Sequence, residues 1–274
     1  MGAGVKIKAI APWFGGKRTM APDIVAELGK HTQYFEPFCG SMAVLFAKAP
    51  SQKETVNDLH GDLINLARVV QGDEAADLYE RLRRVLFADA LLQEAQERLE
   101  SGEALDPLER AYWYFLACWM GRNGTAGTQR VDYQLAVRWT KSGGSPTVRL
   151  RNSTESIPAW HRRLQNVVIL SRDAMEIIDR FEDCPETAIY ADPPYVAETR
   201  GSHDNAEGGF GRYKHEFTHD GGGIFGGGDD HARLAAALKG YKHARIVVSY
   251  YDCPRVRELF DGWTFIDKTR QKHL

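Results

Sequence analysis

Short strand-like runs alternate with amphipathic stretches through the first seventy residues, and this alternation restricts the fold more than any other feature. Residues 19–29 put Ala21, Ile24, Val25 and Leu28 on one helical face. Residues 32–36 form a short strand closed by Pro37. Residues 41–48 read as a helix stopped by Pro50, residues 54–57 as a strand ending at Asp58, and residues 63–70 as a helix. Helix, strand, helix, strand, helix is the opening of a doubly wound α/β sheet.

The pattern then breaks and later resumes. Residues 77–100 read as one charged amphipathic helix and residues 108–120 as an aromatic-rich one. Residues 121–152 are polar, glycine-rich and basic, and a helical start follows at 156–164. Residues 72–160 are therefore expected to be an insertion, with 1–71 and 161–274 forming the sheet domain. Strands are expected at 167–170, 187–191 and 245–249, with a last one at 263–267. Helices are expected at 174–181, 231–239 and 255–260.

Charge sharpens this division. The chain carries a net charge of −2. Residues 73–109 carry a net of −7, whereas residues 121–165 carry +6 from Arg122, Arg130, Arg138, Lys141, Arg149, Arg151, Arg162 and Arg163 against two acids. Phosphate binding follows the local patch and not the whole-chain sum. The alternative is a solvated basic face. No run of 18 apolar residues suggests a membrane span, and the N-terminus does not resemble a signal peptide. Cys39, Cys118, Cys184 and Cys253 are scattered without metal-ligand spacing, as expected of reduced cytoplasmic thiols.

Asp192-Pro193-Pro194-Tyr195 is the strongest chemical signal. It directly follows an apolar strand, and open α/β sheets bind ligands at the carboxyl ends of their strands. Consecutive prolines hold the backbone away from helix. A carboxylate and a fixed carbonyl can each accept one N–H of an exocyclic amine. That frees a lone pair otherwise delocalised into the ring. Asp192 and the Pro193 carbonyl suit this role. Tyr195 offers a face for base stacking, worth roughly 1–3 kcal/mol in comparable sites.

Phe35-Glu36-Pro37-Phe38-Cys39-Gly40-Ser41 lies at the first strand-to-helix turn. Gly40 lets backbone approach a ligand, and the helix start behind it favours a carboxylate. Asp58 follows Glu36 by 22 residues. An acid there commonly binds a ribose, so an adenosine-containing cofactor is expected. Asp173 follows its strand in the same way and either reaches the cofactor or caps a helix. Pro12-Trp13-Phe14-Gly15-Gly16-Lys17 supplies a tight turn, a flat apolar surface and a positive charge. The absent G-x-G-x-x-G disfavours a nicotinamide enzyme. Residues 221–228 hold six glycines but lack the Lys-Ser or Lys-Thr of a phosphate loop.

These signals, in this order, resemble the Dam-type DNA adenine methyltransferases, especially forms from phages and prophages. The likeness extends over Arg122-Asn123-Gly124, Asp173, Tyr213-Lys214-His215-Glu216-Phe217 and Ser249-Tyr250-Tyr251-Asp252. It implies a Rossmann-like, seven-stranded sheet that binds S-adenosylmethionine, with a mainly helical target-recognition region at 72–160. It also implies cofactor contacts by Trp13, Lys17, Glu36, Phe38, Gly40, Asp58, Asp173 and Asp192. Asp192, Pro193, Pro194 and Tyr195 would form the catalytic group. Arg122, Asn123, Arg130, Arg138 and Lys141 would touch double-stranded DNA. The adenine would be flipped out and methylated directly, with no metal and no covalent enzyme intermediate, by a monomer or weak dimer. Three departures stand out: Met42 is bulky where relatives carry a small residue, which would crowd the cofactor turn; the 221–228 stretch is longer than the usual linker before Asp230-His231; and the family usually adds a final strand beyond the equivalent of Leu274. A cytosine or protein-glutamine amino methyltransferase, or a DNA-binding remnant without catalysis, are the competing readings.

Overall fold

The computed structural model describes residues 8–13, 15–121, 135–137, 144–196, 217 and 229–268. Its centre is a parallel sheet of five strands: β1 (Gln33–Glu36), β2 (Lys53–Asn57), β3 (Val167–Leu170), β4 (Thr187–Ala191) and β5 (Arg245–Val248). The strand order is β3-β2-β1-β4-β5, so the order reverses between β1 and β4. Helices α1 (Ala21–Leu28), α2 (Ala43–Ala47) and α3 (Gly61–Gln71) accompany the first strands, and α9 (Asp230–Gly240) and α10 (Pro254–Leu259) the last.

Strand periodicity splits the interior into two cores. Tyr34, Val56, Ala188 and Tyr190 face one, while Phe35, Ile189 and Ala191 face the other. Successive strand residues point to opposite faces. β4, Thr187–Ala191, is covered on both faces and is buried at every position. The first core takes in α1, α2 and α3, and the second takes in α9, α10 and the crossover at 174–181.

Between α3 and β3 the chain makes α4 (Ala75–Leu82), α5 (Asp89–Glu100), α6 (Pro107–Met120), α7 (Pro146–Thr154) and α8 (Ile157–Leu164). α6 starts at an Asp106 cap that accepts from the Glu109 amide, with Pro107 at its first turn. Every residue from Trp113 to Met120 is buried, because α6 packs on α3, α4, α5 and α7 at once. α8 returns the chain to the sheet. Its Arg163 pairs with Glu54 of β2, which also holds Lys48. Burial would raise the Glu54 carboxyl, but the two cations hold it below its ordinary value.

Several elements depart from expectation. The single helix expected at 77–100 is two helices. Its buried residues are Ala75, Leu78 and Leu82, then Leu92 and Ala95. From Leu82 to Leu92 a helix turns about 1000°, which leaves the second stripe roughly 80° off the first. A break lets both stripes meet α6. The helix expected at 174–181 is only a 3₁₀ turn, Ala174–Glu176. The following Ile177 and Ile178 are both buried, and Phe181 stacks on Phe35 with ring centroids 3.6 Å apart. Linking β3 to β4 requires crossing the sheet, and an irregular run does this while burying neighbouring residues. Residues 263–267 form no strand; Trp263 packs on Phe260 instead. α7 lies largely in the polar, basic stretch 121–152, for which no helix was expected. Five strands stand among the described residues, against the seven the resemblance implies. No described helix is long and apolar enough to cross a membrane.

Candidate active site

The reversal of strand order places the carboxyl ends of β1 and β4 side by side, where ligands bind in sheets of this kind. A cleft of about 850 Å³, open mouth included, lies there. Its walls come from Trp13, Gly15, Gly16 and Lys17, the turn after β1, Asn57–His60 after β2, and Tyr190, Asp192 and Pro194 at the end of β4.

The turn after β1 is shaped by backbone hydrogen bonds. Gly40 has φ +42°, and a Cβ there would lie 2.8 Å from Trp13 Nε1. Only glycine fits beneath that indole. Asp58 accepts from the Gly40 amide at 2.8 Å and from the His60 amide at 2.9 Å. Asn57, fully buried, donates to the carbonyls of Pro37 (3.0 Å) and Arg172 (2.9 Å) and accepts from the Arg172 amide (2.9 Å). The ends of β1, β2 and β3 are thereby stapled together. Glu36 is buried against the Tyr34 hydroxyl, which donates to it at 2.8 Å. Burial raises its carboxyl to about 8, despite that hydrogen bond.

The turn after β4 is shaped by charge. Lys17 donates to Asp192 Oδ2 and to the Gly15 carbonyl, each at 2.7 Å. Tyr195 donates to Asp192 Oδ1 at 3.0 Å. The Lys17 ammonium sits 5.0 Å from the Tyr195 ring centre, within cation–π reach. Burial raises the Asp192 carboxyl, while Lys17 and Tyr195 oppose the rise. The result is a carboxylate held at a fixed angle, its side chain still 20% exposed at the cleft.

Trp13, Lys17, Glu36, Phe38, Gly40, Asp58, Asp192 and Pro194 therefore meet in one cleft. Pro193 and Tyr195 are buried beside it. Asp173 caps the 3₁₀ turn, accepting from the Met175 amide at 2.7 Å, and its neighbour Ala174 lines the cleft. Met42 does not crowd the turn. It adopts a left-handed backbone (φ 59°) and turns its side chain into the first core. Arg122, Asn123, Arg130, Arg138 and Lys141 lie outside the described residues, as do Tyr213–Glu216 and residues 221–228. Two other members of the basic patch have internal work. Arg149 donates to the Trp119 and Gly121 carbonyls at the end of α6, and Arg163 is held by Glu54. Arg151 and Arg162 are exposed.

The sequence profile of the D12 class N6 adenine-specific DNA methyltransferases matches residues 13–274. The chain belongs to this class. It is 26% identical to a type II methyltransferase of Lactococcus lactis subsp. cremoris, over 97% of this chain and 89% of the relative. It is 25% identical to a DNA adenine methylase of Haemophilus influenzae, over 95% and 85% of the two chains. A retron Ec67 DNA adenine methylase of Escherichia coli is also 25% identical, over 94% and 82%. The activity is DNA adenine methylation, and the class uses S-adenosylmethionine.

The residues of this methyltransferase fit such a cofactor. The steric cradle at Gly40, the apolar surfaces of Trp13 and Phe38, and the acid at Asp58 suit a nucleoside beside a small charged tail. Sequence reasoning missed Asn57 and His60. His60 caps α3 through Nδ1, which accepts from the Leu63 amide at 3.3 Å, and its ring meets Trp13 edge-on at 5.4 Å. Their proximity to Asp58 was the available signal. Tyr190, which lines the cleft and shares a hydrogen bond with Ser249 at 2.9 Å, was hidden among strand residues.

Proposed function

We propose that Asp192, with the Pro193 carbonyl, grips the exocyclic amine of an adenine extruded from double-stranded DNA, and that Trp13, Lys17, Glu36, Phe38, Gly40, Asp58 and Asp173 surround S-adenosylmethionine. The observation that carries this reading is the double hold on Asp192 by Lys17 and Tyr195 at the carboxyl end of β4. Bound among those residues, S-adenosylmethionine would supply its sulfonium methyl group to the amine and would leave with the electron pair of its broken S–C bond. Asp192 and the carbonyl accept the two N–H bonds of the amine and draw its lone pair out of the ring. The nitrogen then sheds one proton, for which Asp192 is the adjacent base. Tyr195 provides the stacking face.

Residues 1–71 and 161–274 form the catalytic domain in this reading, and 72–160 the target-recognition insertion. Arg122, Asn123, Arg130, Arg138 and Lys141 contact DNA. The enzyme works as a monomer or weak dimer in the cytoplasm of a bacterial or phage-infected cell. Tritiated methyl transfer to unmethylated DNA, followed by nucleoside analysis, tests the chemistry. Label is expected on N6-methyladenine; label elsewhere, or none, overturns it. Reversing the charge of Arg122 or Arg138 is expected to weaken DNA binding and flatten its salt dependence. Unchanged affinity would leave the patch as a solvated face.

A further inference from the structure

His231 is a buried polar side chain that the chemistry above does not use. It lies in the first turn of α9, 1% exposed, with its amide bonded to the Asp229 cap at 3.0 Å. Asp229 also pairs with Arg255 of α10, so the start of α9 is anchored from two sides. The imidazole Nδ1 shares a hydrogen bond with the Tyr250 hydroxyl at 2.9 Å. One side of the ring meets Phe217 edge-on, with centroids 5.1 Å apart, and Phe217 in turn meets Phe38 at 5.7 Å. On the other side, Tyr250 packs 6.0 Å from Tyr195, the ring whose hydroxyl holds Asp192.

A leucine would fill this space without a desolvation cost. A buried imidazole carries that cost unless it makes hydrogen bonds, so its value lies in the direction it imposes. Tyr250 also meets Phe260, with ring centroids 5.8 Å apart; ring contacts limit its position, and a hydroxyl tether to a helix-anchored imidazole adds a direction. We propose that His231 is a positioning residue for the target base: it fixes the tilt of Tyr250, which sets the angle of Tyr195 against Asp192. This inference rests on the reading of Asp192 and Tyr195 as the target site. Tyr195 also meets the Lys17 ammonium at 5.0 Å and Tyr251 edge-on at 4.7 Å, the latter 41% exposed.

The test compares His231→Leu, His231→Asn, Tyr250→Phe, the His231→Leu/Tyr250→Phe double variant and Asp192→Ala. Each is assayed for single-turnover methyl transfer to unmethylated DNA at saturating S-adenosylmethionine, and for cofactor affinity by calorimetry. His231→Leu and Tyr250→Phe are each expected to slow transfer about tenfold, and the double variant no further. Cofactor affinity should stay within about twofold in all three. Asparagine places an amide near the Nδ1 position, so His231→Asn should recover most of the rate. Wild-type transfer in Tyr250→Phe, multiplied losses in the double variant, or losses explained by cofactor affinity would each overturn the proposal. If His231→Leu does not fold, Tyr250→Phe and His231→Asn still decide it. Full transfer by Asp192→Ala would instead remove the underlying site reading. An inert Asp192→Ala beside normal His231 and Tyr250 variants would remove this inference alone.

Discussion

Glu36 and Asp192 end adjacent strands of one sheet, yet their surroundings drive them apart. Glu36 is buried against a tyrosine hydroxyl, and burial raises its carboxyl to about 8. Asp192 is also pushed upward by burial, but an ammonium and a phenol hold it back. The turns around them differ in the same sense. After β1 and β2, side chains bond to backbone: Asp58 to two amides, and Asn57 to two carbonyls and an amide. After β4, side chains bond to side chains. The first arrangement makes a fixed shape, and the second a charge with a fixed direction. A cofactor that must be gripped identically in each cycle needs the former. A nucleophile whose electrons must be aimed needs the latter. Pairs of acids separated in this way recur where acid–base roles are divided.

Breaking the shape side should cost cofactor binding. Gly40→Val adds a branched carbon where even a Cβ meets Trp13 at 2.8 Å, on a backbone with φ +42°. Cofactor affinity by calorimetry should fall about 100-fold, from strain and lost cleft space. Unchanged affinity would show that the Trp13–Gly40 cradle holds nothing. Asn57→Leu keeps the volume but strands the Pro37 and Arg172 backbone groups. The KM for the cofactor should rise about 30-fold with kcat nearly unchanged. An equal fall in kcat would mean the staple reaches the chemistry, and the two halves are not separate.

Breaking the charge side should move a pH profile. Asp192 must be ionised to accept N–H bonds, so activity is lost as pH falls through its raised pKa. Lys17 lowers that pKa. Lys17→Met should therefore shift the acid limb of kcat upward by about one to two pH units. A downward shift, or none, would deny Lys17 its electrostatic role. Glu36→Gln should change turnover least and stability in a defined direction. A carboxyl whose pKa is raised on folding contributes stability that is complete below the ordinary value of 4.5 and lost as pH rises through about 8. Thermal melting from pH 5 to 8 should show that loss in the wild type and a flatter course in Glu36→Gln. Parallel curves would mean Glu36 is not held neutral.

The strands and both strand-end motifs were legible because burial imposes period and chemistry imposes residue type. The run 187–191 into Asp192 matched the observed β4 to the residue. What stayed hidden was long-range. Lys17 and Asp192 are 175 residues apart, and nothing local to either announces the pair. Asn57 reads as an ordinary strand end until three loops converge on it. Charge counting placed Arg149 and Arg163 in a phosphate patch, because a count cannot tell an exposed arginine from one capping α6 or gripping Glu54. The break after Leu82 was in principle readable from the phase of the apolar stripe.

Asp192→Asn bears most directly on the central claim, since it keeps the size of the side chain and removes its charge. Single-turnover methyl transfer should fall at least about 10³-fold while the calorimetric affinity for S-adenosylmethionine changes less than about threefold. Transfer at the wild-type rate, or a loss accounted for by weaker cofactor binding, would contradict the assignment of the aimed carboxylate to the target amine.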